Sequence, residues 1–131
     1  MKIGILTGGG DCAGMNSAIR GATFAAEELN HDLYGIKRGW EGLIAYEEMV
    51  LNSKAVEGIG EKSGTILMTS RTNPFKYNGK DKSDFVIENL RMRKYDSLIV
   101  IGGNDTLGVA YKIDKLGFPV IGIPKTMDKD L

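Results

Sequence analysis

Asp128 and Asp130 stand two residues apart near the end of this sequence, with Lys125 and Thr126 just before them. Paired carboxylates beside an ammonium and a hydroxyl, just past an apolar run, are groups that phosphoryl transfer uses: a base for the attacking hydroxyl and acids near a magnesium ion. D-x-D is a short pattern, and the same stretch also reads as a solvated tail. Two glycine corners shift that balance. Gly8-Gly9-Gly10 follows the apolar residues Ile3, Ile5 and Leu6, and Gly102-Gly103-Asn104-Asp105-Thr106 follows the run Ser97 to Ile101. Each reads as strand, tight turn, helix. Glycines at such a turn let a polyanion reach backbone N–H groups where the helix dipole is also positive. Arg71 lies in Ser70-Arg71-Thr72-Asn73-Pro74, a loop by composition. A guanidinium there suits a phosphate oxygen, and the alternative is an ordinary surface charge.

Two familiar phosphate motifs are excluded. Gly8, Gly10 and Ala13 fit G-x-G-x-x-A, but the acid expected about 20 residues on to hold a ribose is missing, because the second strand runs into Lys37 and Arg38. The pattern G-x-x-x-x-G-K-[ST] does not occur. Cys12 is the single cysteine and His31 the single histidine, so an internal disulfide is impossible and zinc lacks ligands. Cys12 reads as a small buried residue and His31 as a solvated loop residue.

The elements that must position these groups alternate along the chain. A strand over Ile3–Leu6 leads to a helix from about Ala13, carrying Ala18, Ile19, Ala22, Ala25, Ala26 and Leu29, with Asn30 as a left-handed cap. A strand at Asp32–Ile36 follows, and the pattern weakens between Lys37 and Ser63. Gly39-Trp40-Glu41-Gly42-Leu43 reads as a loop opening a short helix. Trp40, the single tryptophan, fits a core anchor or an aromatic platform for a ligand base equally well. Lys82 to Lys94 reads as a surface helix with Phe85, Val86, Leu90 and Met92 apolar. Ser97–Ile101 is a strand buried on both faces, Leu107–Leu116 a helix begun by Asp105 and Thr106 as caps and ended by Gly117, and Phe118–Ile123 an apolar strand. This order implies an α/β fold: three layers around a mostly parallel, doubly wound sheet, with ligands at the carboxyl ends of the strands.

At 131 residues the chain is long enough for one core. It is 42% hydrophobic and 26% charged, ordinary globular values that fit neither disorder nor a membrane protein. Seventeen basic residues balance seventeen acidic ones without a basic run, which argues against nucleic-acid binding. No apolar stretch approaches the ~20 residues of a membrane helix, and no signal-peptide core precedes the first strand. A cytoplasmic location is expected.

Three motifs in order resemble the N-terminal part of a 6-phosphofructokinase. The opening is Gly8-Gly9-Gly10-Asp11-Cys12-Ala13-Gly14-Met15-Asn16 with Ala18-Ile19-Arg20-Gly21; the others are Gly102-Gly103-Asn104-Asp105-Thr106 and Pro124-Lys125-Thr126-Met127-Asp128-Lys129-Asp130. The resemblance implies phosphoryl transfer to the 1-hydroxyl of fructose 6-phosphate, in glycolysis, with Mg2+. It makes residues 1–131 the donor-phosphate-binding domain, with Gly9, Gly10, Gly103, Asp105, Thr106 and Lys125 around the donor. Arg71 is expected to neutralise the transferred group, Asp128 to act as general base, Thr126 to contact the sugar and Asp130 to lie close to the metal. Trp40 corresponds to an aromatic position that stacks on adenine in ATP-using members.

Two positions bear on the donor. ATP-using relatives carry glycine at Asp105 and at Lys125; a carboxylate at Asp105 fills the space of an α-phosphate and repels it, while Lys125 pairs with pyrophosphate oxygens. The pattern resembles the pyrophosphate-dependent members, with ATP as the other possible donor. Asn104 replaces the acid the family uses for the metal, and Lys129 replaces the Asn between the aspartates, so metal affinity is expected to fall. Ala13 stands for the usual Pro. Family members run to over twice this length, and the sugar-phosphate-binding half is expected to be absent. The chain is therefore expected to need a partner, as a homo-oligomer or with a complementary C-terminal half, or to be a non-catalytic phosphate- or nucleotide-binding module. An NAD-kinase-like protein shares the second corner but not the first.

Overall fold

The computed structural model describes residues 1–9, 14–59 and 64–125. Among these residues ten elements follow in order: β1 (Lys2–Thr7), α1 (Met15–Glu28), β2 (Asp32–Ile36), α2 (Trp40–Ala45), β3 (Glu48–Leu51), a 3-10 turn (Pro74–Lys76), α3 (Ser83–Met92), β4 (Ser97–Gly102), α4 (Asn104–Lys115) and β5 (Val120–Pro124). They form one five-stranded sheet in the order β3-β2-β1-β4-β5. β1 pairs in parallel with β2 on one side and β4 on the other, and β4 pairs in parallel with β5. β1 therefore lies at the centre, and the chain leaves it in opposite directions before and after β3. The α/β architecture expected from the alternating pattern is present.

Crossovers of one hand that run in opposite directions put their helices on opposite faces of a sheet. On one face Leu6, Leu98 and Val100 meet Trp40 and Leu43 of α2, Val86 and Leu90 of α3, and Val109 and Ile113 of α4. On the other, Ile5, Leu33 and Ile101 meet Met15 and Ile19 of α1 together with Val56, Ile59 and Leu67 from the long connection after β3. Alternate residues of β1 and β4 thus enter different cores, which is why Ile3 to Leu6 and Leu98 to Ile101 carry no polar side chain.

Several boundaries differ from the sequence reading. α1 starts at Met15 after Gly14, which has φ +95°, and its buried face is Met15, Asn16, Ile19, Thr23 and Ala26 rather than the full set of alanines. Asn30 does take the left-handed conformation expected of it. The segment where the pattern weakened contains β3, which pairs antiparallel with β2, Leu33 opposite Leu51 and Ile36 opposite Glu48. In α3 the buried apolar residues are Val86, Ile87 and Leu90, whereas Phe85 and Met92 face solvent. The N-cap of α4 is Gly103, without a side-chain hydrogen bond, so Asp105 and Thr106 are not caps but residues of its first turn. β5 is an edge strand with Ile121 and Ile123 exposed.

Candidate functional site

The carboxyl ends of β1, β4 and β5 meet at one rim. The N–H of Gly8 donates to Ile101 O at 2.9 Å, and the N–H of Lys125 donates to Gly102 O at 3.1 Å. These bonds carry the sheet one residue past each strand and place three chain turns side by side. Gly9 then takes φ +79°, a conformation open to glycine at little cost. A Cβ built on Gly9 lies 3.5 Å from Lys125 Nζ and 3.8 Å from Gly103 N. Gly9, Gly103 and Lys125, read from separate motifs, are thus neighbours at the point where the strand order reverses, the usual ligand crevice of such sheets.

Thr106 holds the two corners together from beneath. Its side chain fills the space a Cβ would occupy on both Gly8 and Gly102, with Thr106 Cγ2 2.6 and 2.7 Å from those two positions. The residue is 7% exposed. The Thr106 side chain is thus an internal spacer that lets α4 approach the sheet, which leaves only its backbone N–H to face a donor. The first-turn N–H groups of α4 have no partner within the helix and no capping side chain, so an anion at the rim can take them. Asn104 and Asp105 are exposed on that same turn.

Arg71 is exposed on a loop stitched to the same edge. Thr7 Oγ1, at the end of β1, donates to Met68 O at 3.1 Å and lies 3.0 Å from Thr65 Oγ1. Ser70 Oγ donates to Arg38 O at 2.6 Å, and the Thr72 hydroxyl donates to Glu41 Oε1 at 3.2 Å. The Tyr77 phenol donates to the other Glu41 oxygen at 3.1 Å. That bond to Glu41 pushes the Tyr77 phenol above its ordinary value. Arg38, beside this loop, is ion-paired to Glu47, whose hydrogen bond raises its guanidinium further.

Trp40 is buried and does not present its ring at the rim. The residue is 3% exposed in the core beneath α3, the place of a core anchor. Its Nε1 is buried with no hydrogen-bond partner.

The described rim carries an ammonium, backbone N–H groups and a helix N-terminus, which is the chemistry of an anion site. Among the described residues no group of three or more His, Cys, Asp or Glu side chains is placed to hold a metal. One amide at Asn104 and one carboxylate at Asp105 do not by themselves fit a magnesium ion, which takes oxygen ligands in octahedral geometry. Gly10, Thr126, Asp128 and Asp130, with Lys129 and Asp11 to Ala13, lie outside the described residues. Sequence reasoning missed Glu41, Tyr77 and the Thr7–Thr65 pair. The only visible signal was the density of hydroxyl residues from Thr65 to Thr72.

A family model described as Phosphofructokinase matches residues 2–131. The chain is 52% identical over its whole length to a pyrophosphate–fructose 6-phosphate 1-phosphotransferase of Dictyoglomus thermophilum, covering 37% of that protein. It is 43% identical to an ATP-dependent 6-phosphofructokinase of Spirochaeta thermophila, over 98% of this chain and 37% of the relative. Among solved structures, the Pichia pastoris phosphofructokinase in the T-state superposes with a TM-score of 0.87 at 27% identity, over 98% of this chain and 15% of that one. The chain thus spans little more than a third of the length of these curated relatives.

Proposed function

The chain belongs to the phosphofructokinase family, and on that premise we propose that it is the donor-phosphate-binding part of a phosphotransferase that uses pyrophosphate. The reaction is transfer of a phosphoryl group to the 1-hydroxyl of fructose 6-phosphate, in glycolysis. The observation that carries this reading is the convergence of Gly9, Gly103 and Lys125 at one rim. A charge-assisted bond from Lys125 and backbone N–H groups suit the oxygens of a small polyanion. Lys125 pairs with pyrophosphate, Gly10 adds a backbone N–H, and Arg71 neutralises the group in transit. Asp105 repels the α-phosphate that an ATP molecule would bring.

Asp128 takes the proton from the sugar hydroxyl, and Thr126 contacts the sugar. Magnesium, were it bound with the donor, would supply charge neutralisation, and Asp130 is the carboxylate that the family resemblance would assign to it. Gripping the sugar phosphate falls to polypeptide beyond these residues, in a second copy or a complementary C-terminal half. The exposed apolar side chains of β5, Ile121 at 62% and Ile123 at 41%, support such an association.

A second reading, a phosphate-binding module without turnover, is favoured by Asn104 and Lys129, which stand where the family resemblance puts an acid and an Asn. A coupled assay with fructose 6-phosphate separates the two. With the C-terminal remainder of the Dictyoglomus relative added, pyrophosphate is expected to support turnover and ATP to support much less. Equal use of both donors would overturn the donor assignment. No turnover with either donor would favour the module.

A further inference from the structure

We infer that Glu41 is a positioning residue for Arg71, holding the loop that presents the guanidinium to the anion at the rim; this rests on the reading of that rim as a phosphate-donor site. Arg71 itself is exposed, and its two neighbours in sequence are tied down. Ser70 Oγ donates its single proton to Arg38 O at 2.6 Å and lies 3.0 Å from Thr72 Oγ1. The Thr72 hydroxyl in turn donates to Glu41 Oε1. The second carboxylate oxygen of Glu41 receives the Tyr77 phenol, beyond the far end of the loop.

Glu41 therefore grips the segment on both sides of Asn73. Its own place is fixed, because it is the second residue of α2, and the helix begins with the buried Trp40. Gly39, just before α2, comes so close to β1 that a Cβ there would lie 3.0 Å from Thr7 O and 3.7 Å from Ser70 Oγ. The chain of contacts runs from the end of β1 through α2 to the two residues flanking Arg71. An arginine held by its neighbours loses less conformational freedom when it meets a phosphate, and that is what preorganisation contributes to affinity.

The placement has a consequence of unexpected sign. A carboxylate close to an anion site weakens anion binding by simple repulsion, so removing it should tighten binding if repulsion were its only effect. Positioning predicts the reverse. Glu41→Ala is expected to weaken pyrophosphate binding several-fold in the parent chain and to have no effect in an Arg71→Ala background. Glu41→Gln keeps one oxygen acceptor and is expected to recover part of the loss.

The test is pyrophosphate titration of the four proteins of that cycle, with hydrogen exchange of residues 70–73 measured without ligand. Exchange there is expected to rise about tenfold in Glu41→Ala, the size of losing roughly one net hydrogen bond, while β1 and β4 keep their protection. Tighter binding, an equal loss in both backgrounds, or unchanged exchange at 70–73 would each overturn the inference. A parent chain that binds no pyrophosphate would overturn the donor-site reading instead, and loop exchange would still decide the role of Glu41.

Discussion

Replacing Gly8 by alanine tests how the two glycine corners are held. The new Cβ would overlap Thr106 Oγ1 and stand 2.6 Å from Thr106 Cγ2 and 3.0 Å from Thr106 Cβ. Thr106 is buried and cannot swing out, so the clash must move α4 or the β1 turn. Overpacking of this kind costs about 1–3 kcal/mol, offset by roughly 0.4–1 kcal/mol because alanine restricts the unfolded chain. A net loss of about 1–2 kcal/mol is expected, seen as a lower urea midpoint with an unchanged slope.

Thr106→Ala removes both near atoms and leaves only the 3.0 Å contact, which a shift of a few tenths of an ångström relieves. In that background Gly8→Ala should cost less than about 0.5 kcal/mol, a coupling of about 1 kcal/mol. Gly102 supplies the control: its Cβ would lie 2.6 Å from Thr106 Cβ itself, an atom alanine retains. Thr106→Ala should therefore rescue Gly8→Ala and not Gly102→Ala. Simple additivity at Gly8, or equal rescue at both glycines, would refute the reasoning.

Trp40, as the single tryptophan, should emit as a buried indole, resist iodide quenching and ignore added ATP. Quenching by ATP would restore the stacking role. Asp81 accepts from the Ser83 backbone N–H at 2.9 Å and from its hydroxyl at 2.6 Å, and these bonds hold its carboxyl below the ordinary value of 3.8. Its contribution is thus fully present above that value and is lost as pH falls through the lower, folded one. Asp81→Asn should flatten the acid limb of a stability–pH curve; an identical limb would count against the assignment. Replacing Ile121 and Ile123 by lysine puts charge on the exposed side of β5 and should abolish self-association in sedimentation. Persistence of that association would locate the contact elsewhere.

The two central strands were legible because burial on both faces demands unbroken apolar runs, and the Ser97–Ile101 stretch shows one plainly. The glycine corners were legible for a related reason, since few other residues allow so close an approach. β3 was not: its four residues, Glu48 to Leu51, are held by pairing with β2, a long-range effect that leaves no period in so short a segment. The two readings of Trp40 differ only in what lies across the chain from its ring, here α3 and the sheet. Thr106 looked like a cap because helix starts favour threonine, yet Gly103, three residues earlier, takes the cap position and leaves the Thr106 side chain to fill a gap. Glu41 and Tyr77 carried no motif, and only their meeting in space makes them a pair.

The central claim is that Lys125, lying over Gly9 beside Gly103, makes this rim a pyrophosphate site. Calorimetric titration of pyrophosphate into the parent and into Lys125→Ala tests it most directly. The account predicts binding by the parent and a loss of about tenfold or more in the variant, equivalent to about 1.4 kcal/mol. Equal affinity in the two proteins would contradict it.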